Sequence, residues 1–203
     1  MRRIRIEELA PGSSALHELV ENVRSGSVLA IPTESSYGLA VDPRKEAAVR
    51  RVFAIKGRDG AKPLLVVAAN RCQLEDLGVD ASRATLDRFF ALWPAPLTVT
   101  LPLRAAVPAS AGAATLAVRV PAHPKLRGLL EATGPLTATS LNRSGQAPCD
   151  DPDEIERVFG REVDVLVDGG KTSGGPPSTL LDATVEPPRV LRPGAFPWPR
   201  ENR

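Results

Sequence analysis

The sequence of 203 residues contains few of the residue types that carry specialised chemistry. Its two cysteines, Cys72 and Cys149, and its two histidines are too dispersed for a zinc site or a disulfide scaffold. Aromatic residues make up 4% of the chain, which is too few for a protein that binds single strands by base stacking. No apolar run approaches the ~20 residues of a membrane-spanning helix. We therefore expect a cytoplasmic globular protein with no membrane association.

Neither positive nor negative charge predominates in the chain. The chain has 26 Lys and Arg against 24 Asp and Glu, a net charge of +2, so bulk electrostatics do not favour coating of nucleic acid. Any anion site must be local. The 42% of hydrophobic residues suffices for a buried core, and no linker or repeat divides the chain.

Apolar periodicity and capping residues predict both helices and strands. Helices are predicted from Ser13 or Ser14 to about Gly26, over residues 44–56, 81–92 and 124–133, and from Asp151 onward. Strands are predicted over residues 28–31, 64–68, 97–101, 116–120, 136–139, 163–167, 179–181 and 190–191. This mixture predicts an α/β fold built on one twisted, open, mixed sheet with flanking helices.

A basic segment follows the second predicted helix. Lys56, Arg58 and Lys62 surround a glycine turn that leads into a strand, which suits a phosphate cradle. The alternative is that basic residues at a helix C-terminus only complement the helix dipole.

A second polar segment, residues 139–145, follows a predicted strand. Its small donors, Ser140 and Asn142 among them, suit a ligand site at a strand end. The alternative is a turn that these side chains close.

Residues 168–172 resemble a phosphate-binding P-loop because Gly-Lys-Thr follows a strand. The required earlier glycine is replaced by Val165, and glycines and prolines follow where a helix is needed, so we reject a P-loop. We predict instead a flexible loop that presents Pro-Ser-Thr (177–179), which contains Ser178.

A nucleophilic site is weakly indicated. Ser140, His123 and Asp168 supply the residue types of a catalytic triad, but no nucleophile elbow surrounds the serine. Cys149 has no neighbouring cation to lower its pKa, and both cysteines are expected to be inert thiols.

Six motifs in a fixed order carry a family resemblance. They are Pro-Thr-Glu-Ser-Ser-Tyr-Gly-Leu (32–39), Lys-Gly-Arg (56–58) with Pro-Leu (63–64), Leu-Ala-Val-Arg-Val-Pro (116–121), Thr-Ser-Leu-Asn-Arg-Ser-Gly (139–145), Pro-Ser-Thr (177–179) and Leu-Arg-Pro-Gly (191–194). The chain resembles the YrdC/Sua5 family of threonylcarbamoyl-AMP synthases over residues 5–195. The resemblance implies a single YrdC-like domain over residues 1–203, in the short form without an extra C-terminal domain, and a concave basic cavity.

The resemblance also implies the site residues. The family tetrad maps to Lys56, Arg58, Ser140 and Asn142 as catalytic residues, and the substrate-binding residues are Thr33, Arg119, Ser178 and Arg192. We expect Lys56 and Arg58 to be solvated in the empty cavity. The family's alanine between serine and asparagine is Leu141 here, which should point away from the cavity.

The reaction implied by the resemblance joins L-threonine, bicarbonate and ATP into threonylcarbamoyl-AMP and releases pyrophosphate. Mg²⁺ is expected with ATP, and no metal site of the protein itself is expected. A separate transferase complex would carry the threonylcarbamoyl group to tRNA, with a contact between this chain and tRNA left open. Two alternatives remain: an RNA-binding module that uses the cavity's charge, and a paralogue of the same fold acting on another carbamoyl substrate.

Overall fold

The computed structural model describes residues 1–57 and 62–199. Within these ranges the α-helices are α1 (Ser14–Ser25), α2 (Glu46–Lys56), α3 (Arg71–Asp76), α4 (Arg83–Phe90), α5 (Pro124–Thr133) and α6 (Pro152–Phe159). The strands are β1 (Arg2–Arg5), β2 (Leu29–Pro32), β3 (Tyr37–Ala40), β4 (Val66–Val67), β5 (Leu97–Pro102), β6 (Thr115–Arg119), β7 (Leu136–Thr137), β8 (Thr139–Ser140), β9 (Val165–Asp168), β10 (Thr179–Asp182) and β11 (Arg189–Arg192).

Local signals place most helix ends where the sequence predicts them. The Ser13 side chain accepts a hydrogen bond from the Leu16 amide and caps α1, which ends at Gly26 with φ of 90°. Gly57 ends α2 with φ of 60°. The short helix α3 is not predicted, because only Leu74 of its six residues is buried and no apolar period marks it.

The strands form two mixed sheets, which confirms the α/β class but divides the one predicted sheet into two. The first sheet has the order β1-β9-β2-β3-β8, and the second has the order β11-β10-β5-β6-β4-β7. In the first sheet β9 pairs in parallel with both β1 and β2. In the second sheet β5 pairs in parallel with β10 and antiparallel with β6.

The segment predicted as one strand over residues 136–139 connects the two sheets. β7 pairs with β4 of the second sheet, and β8 pairs with β3 of the first. Between them, the Ala138 amide donates to the Leu65 carbonyl at 2.8 Å. The apolar pattern predicts extended backbone correctly but does not indicate that the chain changes sheets within it.

Buried apolar side chains cover the faces of both sheets and include Leu39, Val99 and Leu166, each 0% exposed. Three polar side chains in the described ranges, Lys56, Ser110 and Thr137, are equally buried. None of the helices in the described ranges is long and apolar enough to cross a membrane.

Candidate active site

A cavity of about 660 Å³ receives side chains from both sheets. Its lining includes polar and charged residues from seven chain segments: Thr33, Ser35, Ser36, Tyr37, Thr98, Arg119, Thr139, Ser140, Asp150, Ser178 and Arg192. Apolar patches lie beside them, formed by Pro63, Leu65, Ala117, Ala138, Pro148 and Leu180. The cavity therefore offers both hydrogen-bonding and apolar surface to a ligand.

Strand alternation places Arg119 in the cavity wall. Ala117 and Arg119 of β6 line the cavity, whereas Leu116 and Val118, which alternate with them, are buried in the core. Arg119 is only 5% exposed. The arginine that interrupts the apolar pattern of the strand is thus a buried cation facing the cavity.

Among the described residues, Glu34 is the carboxylate that forms an ion pair with this guanidinium. Its Oε2 lies 3.4 Å from Nη1 of Arg119, and its Oε1 accepts a hydrogen bond from the Ala122 amide at 2.7 Å. Within the described residues, Nε of Arg119 and Oε2 of Glu34 have no hydrogen-bond partner. Buried polar atoms are normally paired, so the interaction of these two groups rests on the attraction between their charges and not on a full set of hydrogen bonds.

Arg192 supplies a second positive charge to the cavity. Its Nη2 donates to the Ser178 carbonyl at 3.0 Å, and the Ser178 hydroxyl lies 2.8 Å from that of Thr98. Burial lowers the pKa of both guanidiniums; Glu34 opposes the shift at Arg119, and Arg192 adds to it. Arginine remains protonated even so, and two such cations favour an anionic ligand.

Lys56 corrects one expectation. It is 0% exposed rather than solvated, because its stem packs in the protein interior and its ammonium binds oxygen atoms of another segment. Nζ donates to the Ser140 carbonyl at 2.5 Å and to Oδ1 of Asn142 at 2.8 Å. Arg58, its predicted companion, lies outside the described residues.

Lys56 contacts residues 140–146, which we call the serine–asparagine loop. This loop is both of the things that its sequence suggested: a wall of the ligand cavity and a turn closed by its own side chains. Ser140 lines the cavity, and its hydroxyl donates to Oδ1 of Asn142 at 2.8 Å. Asn142 is buried and donates to the Gln146 carbonyl at 2.6 Å, so it closes a turn. Leu141 is buried in the core, as expected.

A second segment, the glycine loop (residues 169–177), borders the cavity through Gly174, Gly175 and Pro177. The Tyr37 hydroxyl donates to the Gly170 carbonyl at 2.8 Å and accepts from the Gly169 amide at 3.0 Å. Burial raises the pKa of Tyr37 to about 12. The loop joins β9 to β10 without a helix, which agrees with the rejection of a P-loop.

Side chains of the glycine loop also bind the segment after β2. The Thr172 hydroxyl donates to the Ser35 carbonyl and the Ser173 hydroxyl to the Glu34 carbonyl, both at 3.2 Å. A few hydrogen bonds of this kind hold a loop in place yet break at small cost.

The weak nucleophile hypothesis is not supported. His123 caps α5 by accepting from the Leu126 amide at 3.2 Å, while Asp168 binds Arg3 at 2.8 Å. Neither residue is arranged to activate Ser140. Both cysteines are free, and burial raises the pKa of the Cys149 thiol, so that thiol is a poor nucleophile.

The cavity brings together Thr33, Arg119, Ser140, Ser178 and Arg192, whereas Lys56 and Asn142 lie behind Ser140. Sequence analysis missed Thr98 and did not assign a role to Glu34, Tyr37 or Asp150. Glu34 and Tyr37 stand in a motif that it singled out, and Thr98 is a polar residue in an apolar strand. These signals are weak alone, because they identify a side chain without saying what it faces.

Known proteins resemble this chain in sequence and in fold. A Sua5/YciO/YrdC family model, described as "Telomere recombination", matches residues 21–194. A threonylcarbamoyl-AMP synthase of Vibrio vulnificus is 37% identical over 187 residues, covering 89% of this chain and 99% of the relative. One from Pyrococcus abyssi is also 37% identical, but the chain spans only 52% of its length. The structure of P. abyssi Sua5 complexed with L-threonine superposes with a TM-score of 0.84 at 35% identity, covering 97% of this chain and 57% of the other.

Proposed function

The chain belongs to the YrdC/Sua5 family, and we propose that it is a threonylcarbamoyl-AMP synthase whose reaction takes place in the cavity between the two sheets. The substrates are L-threonine, bicarbonate and ATP. The products are threonylcarbamoyl-AMP, pyrophosphate and water. The adenylate then serves the formation of threonylcarbamoyladenosine in tRNA.

One observation carries this proposal: Arg119 and Arg192 line the same cavity, and the one carboxylate that contacts either guanidinium within the described residues is Glu34. A cavity with this charge is suited to carboxylates and phosphates. In a site of low polarity, fixed cations stabilise negative charge more strongly than they do in water.

The chemistry needs such cations rather than a nucleophilic side chain. The threonine amine attacks the carbon of bicarbonate, and loss of water leaves a carbamate. A carbamate oxygen then attacks the α-phosphorus of ATP, and the bond to the β-phosphate oxygen breaks to release pyrophosphate. Both attacking and attacked groups are anionic, so they approach each other only where positive charge offsets the repulsion.

We assign the cavity-lining residues to two kinds of work. Arg119 and Arg192 bind carboxylate or phosphate oxygens, which a guanidinium can grip with two parallel hydrogen bonds. The hydroxyls of Thr33, Ser140 and Ser178 supply neutral hydrogen bonds that orient the ligands without adding charge. Mg²⁺ enters with ATP as part of that substrate and neutralises the phosphate oxygens.

Lys56 and Asn142 act one layer behind these side chains. The contacts of Nζ with the serine–asparagine loop fix the position of Ser140 in the wall. Arg58, two residues further along, remains a predicted catalytic cation.

The glycine loop excludes water in this proposal. An acyl adenylate is easily hydrolysed, so a loop that borders the cavity and is held by breakable hydrogen bonds suits both entry of substrates and protection of the product.

The wider setting is also proposed. The chain acts as a single YrdC-like domain in the cytoplasm and makes free adenylate. A separate transferase complex transfers the threonylcarbamoyl group to tRNA, since an aromatic content of 4% provides little surface for gripping an anticodon loop. Any tRNA contact by this chain is therefore secondary to catalysis.

Pyrophosphate release tests the proposal. Purified protein should release pyrophosphate from ATP only when L-threonine and bicarbonate are both present. Equal release without threonine would refute it and favour a paralogue with another substrate. Steeply salt-dependent RNA binding without threonine-dependent turnover would favour the RNA-binding module.

A further inference from the structure

The last turn of α2 is joined to the serine–asparagine loop through its backbone. The last four carbonyl groups of an α-helix have no partner within the helix. In α2 these belong to residues 53–56, and the carbonyls of Phe53 and Ala54 accept hydrogen bonds from the Gly57 amide. The Ile55 carbonyl accepts from Nη1 of Arg143 at 2.5 Å, and the Lys56 carbonyl accepts from the Ser144 amide at 2.9 Å. Two of the four carbonyls are thus satisfied by the loop.

The same two segments are joined in the reverse direction through the side chain of Lys56. Its ammonium donates to the Ser140 carbonyl and to Oδ1 of Asn142. Loop donors therefore hold the helix end while a helix donor holds the loop. Such a reciprocal arrangement fixes the relative position of Lys56 and Ser140 more tightly than either set of bonds alone.

Arg143 is itself anchored from a third segment. Its Nη2 lies 2.6 Å from Oε1 of Glu162, and its guanidinium carbon lies 5.3 Å from the centre of the Phe159 ring in α6. A cation that binds a carboxylate, a carbonyl and an aromatic face at once has little freedom to move. Neither the helix-dipole interpretation of Lys56 nor the family tetrad assigns this residue a role.

We propose that Arg143 is a positioning residue of the synthase: it clamps the C-terminal turn of α2 to the serine–asparagine loop and thereby sets the position of Lys56 behind Ser140. It touches no substrate. The kinetic part of this proposal rests on the proposed function, whereas the structural part, the clamp, does not.

Arg143→Ala and Arg143→Lys test the proposal, with Arg51→Ala as the matched control. Arg51 also ties α2 to the turn after α6, since its hydrogen bonds go to Asp164 and to the Glu162 carbonyl. Both alanine variants remove an arginine that bridges α2 and this turn, but only Arg143 lies in the loop behind the cavity. Lysine at position 143 can restore one donor for the Ile55 carbonyl but not the fork that also binds Glu162.

Two readouts separate positioning from general stability. Hydrogen exchange of peptides covering residues 52–57 and 140–147 should accelerate in Arg143→Ala and stay at the wild-type rate in Arg51→Ala. Threonine-dependent pyrophosphate release by Arg143→Ala should show kcat lowered about tenfold or more with KM for ATP within a few-fold. Arg143→Lys should recover part of the lost kcat, while Arg51→Ala should keep the wild-type kcat despite a similar loss of thermal stability.

Unchanged exchange in Arg143→Ala would show that no clamp exists, and wild-type kcat despite faster exchange would show that the clamp has no catalytic role. Parallel losses of kcat in Arg143→Ala and Arg51→Ala would reduce the effect to stability. If the wild-type protein shows no threonine-dependent release, the proposed function fails and with it the kinetic part, while the exchange rates still decide whether the clamp exists.

Discussion

Glu34 contacts the most deeply buried guanidinium of the cavity: its Oε2 lies 3.4 Å from Nη1 of Arg119. The opposite oxygen of the carboxylate is held by the Ala122 amide, just before α5. The guanidinium of Arg119, a residue of the cavity wall, is therefore oriented by a carboxylate that the fold itself fixes.

Arg119→Ala should lower kcat/KM by about 100-fold or more, because a preorganised charge in a site of low polarity contributes several kcal/mol to the transition state. The kcat/KM of Arg119→Lys should lie between those of the wild type and Arg119→Ala, since lysine keeps the charge but not the planar guanidinium. Arg88→Ala, which removes an exposed arginine paired with Glu186, serves as the control. Steady-state pyrophosphate release measures all three, and near wild-type kinetics of Arg119→Ala would remove Arg119 from the site.

Lys56→Met should reduce both stability and turnover. The substitution removes the ammonium donor from the Ser140 carbonyl and leaves Oδ1 of Asn142 with the Ser140 hydroxyl as its donor. Losing the donor to a buried acceptor costs about 1–3 kcal/mol. The exposed Lys125, which pairs with Glu7 on the surface, gives the control Lys125→Met. Urea denaturation and turnover should be measured together. A variant with unchanged stability but no activity would contradict this positioning role and indicate that Lys56 acts directly in catalysis.

Tyr37→Phe should loosen the glycine loop. The variant loses the two hydrogen bonds to Gly169 and Gly170, worth about 1 kcal/mol each. Because the pKa of Tyr37 is raised to about 12, the hydroxyl remains a donor throughout the neutral range and the effect should not vary between pH 6 and pH 9. Limited trypsin digestion provides the measurement through cleavage after Lys171, which should be faster than in the wild-type protein while other sites are unaffected. Equal cleavage after Lys171 would contradict the tether.

The free energy of unfolding should fall at acidic pH as the carboxylate of Asp164 becomes protonated. Burial pushes the pKa of this carboxyl up, but hydrogen bonds from Arg51 and the Val28 amide push it further down, and the net shift is downward. A carboxyl with a lowered folded pKa adds stability above its unfolded pKa of about 3.9, and this contribution disappears as pH falls through the folded value. Asp164→Asn should therefore be less stable than wild type at pH 7, with a difference that shrinks below pH 4. Denaturant titrations between pH 7 and pH 3 measure this difference in stability. In an Arg51→Ala background the effect of Asp164→Asn should vary less with pH.

One detail of the site follows from local sequence alone, because side chains alternate along an extended segment: the burial of Leu141 between Ser140 and Asn142, which is confirmed. The site residues themselves are assigned from the motifs that carry the family resemblance. The burial of Lys56 is not local. It depends on carbonyl groups 84 residues away in the chain, and nothing near Lys56 indicates that they lie within hydrogen-bond distance.

The division into two sheets could not be predicted for the same reason: it depends on contacts between distant segments. A strand pattern predicts extended backbone but not its partner, so β7 and β8 appear as one segment until their pairing with β4 and β3 is known. Glu34 shows the same limit for a motif. The motif that contains Glu34 is visible in the sequence, but its contact with Arg119 arises only when the two sheets enclose the cavity.

The most direct test of the account is to follow the carbon of ¹³C-labelled bicarbonate. Wild-type protein with ATP and L-threonine should convert it into free threonylcarbamoyl-AMP that carries the label, detected by mass spectrometry, and added tRNA should remain unmodified until transferase proteins are supplied. Arg119→Ala should yield little of the labelled adenylate. Consumption of ATP without a labelled threonylcarbamoyl-AMP product would contradict the central claim.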